Sequence, residues 1–204
     1  VRVEDSAGAE LPAVGKAVFS PSDTALADVL TTDPIDPEAL AWAGSTVHSA
    51  VAGDLRGIAG APCLSPDNEA WFVGSESAIG TSNYLMITNP TETTVTIHLT
   101  ALGATGTLDT GTRDTVVVAA GETSRVSLGA LAMDSRIAIH LYAESGTFGA
   151  LLQQSVLDGA QPAGVDVISP SIDDTTLWIP AVRVDPRYED SLRIVNPHDE
   201  AALV

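Results

Sequence analysis

The sequence predicts an all-β protein: an Ig-like antiparallel β-sandwich followed by a truncated second copy of the same module. Three observations lead there. Apolar and polar residues alternate over short runs, turn residues separate those runs at regular intervals, and one stretch recurs in register 107 residues later, with Trp71 matched by Trp178. Long helical periodicities, which would indicate an alternating α/β chain, do not interrupt the pattern.

Residues 1–60 are an acidic, proline-rich segment with Pro12, Pro21, Pro34 and Pro37. Extended, loop-rich backbone is expected there. One exception is SDTALADVL at 22–30, where a serine or aspartate cap and the spacing of Leu26, Val29 and Leu30 suit one or two helical turns. From Trp42 the character changes. STVHSAV reads as a strand, and Gly53, Gly57 and Gly60 punctuate the chain after it. The run VHSAVAGDLRGIA echoes IHLYAESGTFGAL, with His48 against His140 and Gly57 against Gly149, so the segment reads as the end of an earlier β module.

Residues 61–165 are expected to form one complete sandwich module. In NYLMITNPTETTVTIHLT, residues 83–100, Leu85 and Ile87 and then Val95, Ile97 and Leu99 share one face, while Thr94, Thr96, His98 and Thr100 share the other. Between the two runs Pro90 ends a strand, because it lacks an N–H and fixes φ. Asn89 supplies a side chain that can cap the turn. DTVVVAAGETSRVSLG places a strand at 114–119, a turn at Gly121 and a second strand in which Val126 and Leu128 alternate with Arg125 and Ser127; a hairpin is expected. SRIAIHLYA puts Ile137, Ile139 and Leu141 inward against Arg136, Ala138, His140 and Tyr142, and TFGALLQQSV closes the set. Residues 166–204 open the second copy. Leu192, Ile194, Asn196 and Pro197 match Leu85, Ile87, Asn89 and Pro90 without a gap. Repeats of about 100 residues are whole domains, not solenoid units.

AWFVGSESAIGTSNYLMITNP, TTVTIHLTALGATGTL, VVVAAGETSRVSLG and the FGALLQQS strand together resemble an uncharacterised family of secreted or membrane-anchored actinobacterial envelope proteins, a domain of unknown function built from repeated β-sandwich modules. The resemblance covers about residues 55–204. It implies a location outside the cytoplasm, secreted or held in the cell envelope by an anchor, and genes that lie near those of a membrane glycosyltransferase, which makes that enzyme the expected partner. It brings no catalytic residues with it.

Composition narrows the functions. Asp and Glu number 27 against 9 Lys and Arg, Lys16 is the only lysine, and the net charge is −18. Such a charge repels nucleic-acid phosphates and anionic head groups, so nucleic acid is not an expected partner. Cys63 stands alone, which rules out a disulfide within the sequence; it is expected to be a small buried thiol, or else to pair with a cysteine outside it. No apolar run reaches about 18 residues, and the sequence runs from Val1, with no Met, to Val204 inside an apolar strand. Both ends are expected to be cut, leaving membrane attachment to an anchor outside this sequence.

Motifs of hydrolases, phosphate loops, zinc proteases and EF-hands are absent from the sequence. His48, His98, His140 and His198 occur singly, and solvated surface positions are expected for them. The acidic groups Asp33, Asp36 and Glu38, Asp173 and Asp174, and Asp185, Glu189 and Asp190 lack the spacing of a calcium loop and are expected to be solvated loop charge, the alternative being a calcium-stabilised junction between modules. No catalytic residue, cofactor or metal ligand is assigned, and an enzyme is not expected. Trp71 and Trp178 are each expected to seal one end of a module core. In the other reading, Trp71, Phe72, Tyr84, Trp178 and Tyr188 would line shallow clefts. Trp71, Tyr84, Trp178 and Tyr188 are therefore the candidate contacts for a glycan or a partner. The sequence thus points to a non-catalytic extracytoplasmic envelope protein, a scaffold or protein-binding accessory subunit of cell-surface machinery. The alternative is a carbohydrate-binding or glycan-processing accessory module that takes cell-wall glycan.

Overall fold

The computed structural model describes residues 44–174, 176–178, 192–198 and 200, and the backbone of three two-residue strands near the N-terminus. The helical turns expected at 22–30 lie outside the described residues, as do Tyr188 and the acidic groups around Asp36 and Glu189.

Three short strands come first: β1 (Val3–Glu4), β2 (Glu10–Leu11) and β3 (Thr31–Thr32), with β1 between the other two. A hairpin comes next, β4 (Ser45–Ala50) against β5 (Gly57–Pro62). The main body comprises β6 (Glu69–Ser75), β7 (Thr81–Thr88), β8 (Val95–Gly103), the two-residue β9 (Gly106–Thr107), β10 (Thr115–Val118) and β11 (Thr123–Ser127). One helical turn, α1 (Leu128–Leu131), leads into β12 (Ile137–Ala143), β13 (Gly149–Asp158) and β14 (Gln161–Ile168). All the pairings are antiparallel, in two sheets ordered β10-β8-β12-β6 and β11-β7-β13-β14, with β9 pairing only β8.

The protein is therefore all-β, and its main body is an antiparallel sandwich. Period-two alternation builds it. Phe72, Ile97, Leu99, Ile139 and Leu141 from one sheet meet Leu85, Ile87 and Leu152 from the other in one buried cluster. Phe72 is a core residue and lines no cleft. Leu128 does not extend β11; it starts α1, which turns Leu128 and Leu131 into the core.

Consecutive strands mostly switch sheets, so the expected hairpin at Gly121 does not form: β10 pairs with β8 and β11 with β7. The Asn-Pro corner likewise joins β7 in one sheet to β8 in the other. Asn89 locks these two arches together. Its amide group donates to the carbonyls of Thr93, Val118 and Ala119 at 2.8, 3.0 and 3.1 Å, and its Oδ1 accepts from Thr91 N and Oγ1 at 2.9 and 2.7 Å. Its backbone accepts from Gly121 N and donates to Glu122 O. Each arch thereby satisfies the polar groups of the other.

The second Asn-Pro corner repeats the local half of this arrangement. Asn196 Nδ2 donates to Glu200 O at 2.7 Å and His198 N to Asn196 Oδ1 at 3.1 Å, the same offsets of four and two residues as at Asn89. Among the described residues, no strand forms over 192–197 before it. Residues 192–197 run as irregular backbone, with Leu192 and Ile194 65% and 53% exposed, because no strand pairs with them among the described residues.

A third layer lies on the second sheet. Ala59 and Ala61 of β5 pack with Val167 of β14 and with Leu151 and Val165, and the small side chains let the two backbones approach closely. A Cβ at Gly57 would lie 2.8 Å from Val165 Cγ1. β14 was missed in the sequence because Pro162 and Gly164 interrupt its alternation; the strand tolerates them beside a register shift at Val156/Leu157 on its partner β13.

Gly146 precedes β13 with φ +83°, and a Cβ there would lie 2.7 Å from Cγ2 of buried Val95. The Gly146→Ala substitution adds left-handed backbone strain to a clash with a stiff β-branched side chain. A loss of about 2 kcal/mol is expected in urea unfolding, whereas Gly111→Ala, also at positive φ but facing open space, should lose about half as much.

Candidate functional site

The outer face of the β10-β8-β12-β6 sheet carries the residues left over by the core alternation. On β6 these are Glu69, Trp71 and Val73; on β12, Ala138, His140 and Tyr142; on β8, Thr96, His98 and Thr100. Cross-strand register sets Trp71 opposite His140 and Glu69 opposite Tyr142, which in turn lies opposite His98. Four side chains with rings thus share one sheet face.

Trp71 and His140 stack, with ring centroids 4.1 Å apart and planes inclined by 12°. Glu69 Oε1 accepts from Trp71 Nε1 at 3.2 Å and bonds His140 Nε2 at 2.8 Å, holding both rings from one carboxylate. β6 is the edge strand of its sheet.

At that edge, Ser171 N donates to Trp71 O at 2.6 Å and brings residues 170–173 alongside. Between this segment, β6 and the start of β13 lies a recess of about 360 Å³ whose walls include Asp67, Asn68, Glu69, Trp71, Ser171 and Asp173. Phe148, buried in the core, also lines it. A second, more open hollow of about 410 Å³ is lined by Val73, Gly74, Glu76, Gln154 and Arg193; there Arg193 Nη1 donates to Ser75 O at 3.2 Å.

The structure does not gather the sequence-derived candidates into one place. Trp71 does not seal the core; it occupies the outer face, since Ala70 and Phe72 take the inward phase of β6. Tyr84 belongs to the other sheet and has Arg125 Cζ 3.5 Å from its ring centroid, a cation–π contact that occupies one face of the ring. Trp178 is 90% exposed, and Tyr188 lies outside the described residues. Glu69 and His140 were not picked out as site residues by sequence reasoning. The signal available was the outward phase of β6 and β12, but strand register is what sets His140 against Trp71.

Two other expectations change. Cys63 is an exposed thiol, not a buried one, although partial burial raises its pKa above the usual thiol value. His140 is bonded to Glu69, and His48 turns its Nε2 to a buried position with no hydrogen-bond partner. Among the described residues no group of three or more His, Cys, Asp or Glu side chains is placed to hold a metal ion, and no helix is long and apolar enough to cross a membrane.

Comparison with known proteins gives one family match: the model of a family of unknown function, DUF5719, matches residues 18–204. No curated protein matches the chain. Among solved structures, "Crystal Structure of Thermotoga maritima 1070" is similar to 54% of this chain and 97% of its own, at 13% identity and a TM-score of 0.40.

Proposed function

The chain belongs to the family of unknown function DUF5719, and from the surface it presents we propose that it is a non-catalytic, extracytoplasmic envelope protein, a scaffold or accessory subunit of cell-surface machinery built from Ig-like modules in tandem. The observation that carries this reading is the repeated corner. Asn196 makes the two local bonds of Asn89 in the same register, as the opening of a second module would. The front of the chain agrees, since the β4–β5 hairpin precedes Trp71 much as the β13–β14 hairpin precedes Trp178. Counting main-body strands from β6 and leaving out β9, the second pairs with the fifth (β7–β11) and the third with the sixth (β8–β12) as in an Ig-like fold, whereas the first (β6) and seventh (β13) lie in the opposite sheets from theirs in that fold. A membrane glycosyltransferase is the partner class to test first. Crosslinked affinity capture of the full-length protein from its own detergent-solubilised envelope should enrich one membrane enzyme. Recovery of glycan with no protein partner would overturn the accessory-subunit reading.

A second reading, a carbohydrate-binding accessory module, is favoured by the Trp71 ring held beside the Glu69 carboxylate at a recess.

A further inference from the structure

We propose that the recess beside Trp71 is a binding site for an uncharged saccharide, with the indole as its stacking platform; this rests on the carbohydrate-binding reading.

Three features of the recess select the ligand. The first is a presented ring. His140 covers one face of the indole and Glu69 holds its Nε1, so the ring is fixed before any ligand arrives and little side-chain freedom is lost on binding. Trp71 is one of the residues that line the recess, and the apolar C–H face of a pyranose or furanose can stack on an indole there.

The second is the set of hydrogen-bonding groups. Asp67, Glu69 and Asp173 bring carboxylates, Asn68 an amide and Ser171 a hydroxyl to the same walls. Both bonds to Glu69 fall on Oε1, so among the described residues Oε2 is left to accept from a ligand. A saccharide presents donor hydroxyls around its rim, and carboxylates are strong acceptors for them.

The third is charge. These carboxylates, in a chain of net charge −18, repel a ligand that carries carboxylate, sulfate or phosphate. An uncharged sugar meets no such penalty. Size agrees, because about 360 Å³ lies at the low end of the range of small-molecule sites and suits one or two sugar rings, not a folded partner.

The test is isothermal titration of the full chain with maltohexaose, cellohexaose, mannohexaose and the anionic hexagalacturonate. At least one neutral hexasaccharide should bind and hexagalacturonate should not. Trp71→Ala should weaken that binding by about tenfold or more, as expected for the loss of one stacked ring. Glu69→Gln, which keeps the shape, should weaken it by a smaller factor, while Trp178→Ala leaves it unchanged. Circular dichroism melting of each variant separates lost binding from lost folding, and if Trp71→Ala melts early, Glu69→Gln decides. If a neutral sugar binds and both Trp71→Ala and Glu69→Gln bind it as well as the parent, the recess is the wrong site and the carbohydrate-binding reading stands elsewhere, with Trp178 next to be examined. Equal binding of hexagalacturonate would overturn the charge selection. If none of the four binds, the saccharide site and the carbohydrate-binding reading both fall, leaving the accessory-subunit reading untouched.

Discussion

Replacing Asn89 with alanine is expected to cost about 3–5 kcal/mol of unfolding free energy, more than any other single polar substitution in the described residues. The amide is fully buried and serves three carbonyls from two arches, while its Oδ1 holds the Thr91 turn. Each carbonyl left without its donor inside the sandwich costs roughly 1–3 kcal/mol, and the losses partly overlap because the arches can relax together. Asn89→Asp should be nearly as severe, because a carboxylate still accepts from Thr91 but turns lone pairs toward Thr93, Val118 and Ala119. Urea unfolding measures this directly. Asn196→Ala provides the internal control: among the described residues its side chain makes only the local bonds, and it is exposed, so a change below about 0.5 kcal/mol is expected there. A loss at Asn89 no larger than at Asn196 would refute the interlocking of the arches.

Phe72→Ala is expected to be comparably damaging, at about 3–5 kcal/mol, through a cavity between the sheets. Phe72 has no solvent exposure and sits in the cluster with Ile139 and Leu85. Its neighbour makes the comparison sharp, because Trp71→Ala removes a larger ring from the outer face and should cost only about 1 kcal/mol. Thermal melts of the two variants should therefore differ by several degrees, with Phe72→Ala the lower. If Trp71→Ala proved the more destabilising, the indole would be a structural element and not a presented one.

Most of this fold was legible in the sequence because alternation is written into single strands. Ile97 against His98, or Ile139 against His140, announces a buried face whatever the partner strand is. Pairing is not written there. The turn at Gly121 suits a tight hairpin as well as an arch between sheets, and what decides is Asn89, thirty residues earlier, which reaches across to Val118 and Ala119. Strand β14 stayed hidden for the opposite reason: Pro162 and Gly164 spoil a local pattern that β13 and the alanines of β5 sustain from outside. The candidate site was half visible. Trp71 was singled out, but His140 and Glu69 become its partners only through cross-strand register, and the recess needs residues 170–173, which return to β6 a hundred residues later.

That return has a consequence for reach. The backbone enters the main body along β6 and leaves it past Ser171, and the hydrogen bond from Ser171 to Trp71 places entry and exit one strand spacing apart. About a hundred residues of folded chain therefore advance the polypeptide by only about 5 Å, where the same length fully extended would span more than 300 Å. A module tethered in this way hangs from the chain as a pendant instead of lengthening it. Tension on the flanking segments would load the Ser171 contact at the edge of β6 together with the packing of β5 on β14, with the central strands and both Asn89-linked arches spared.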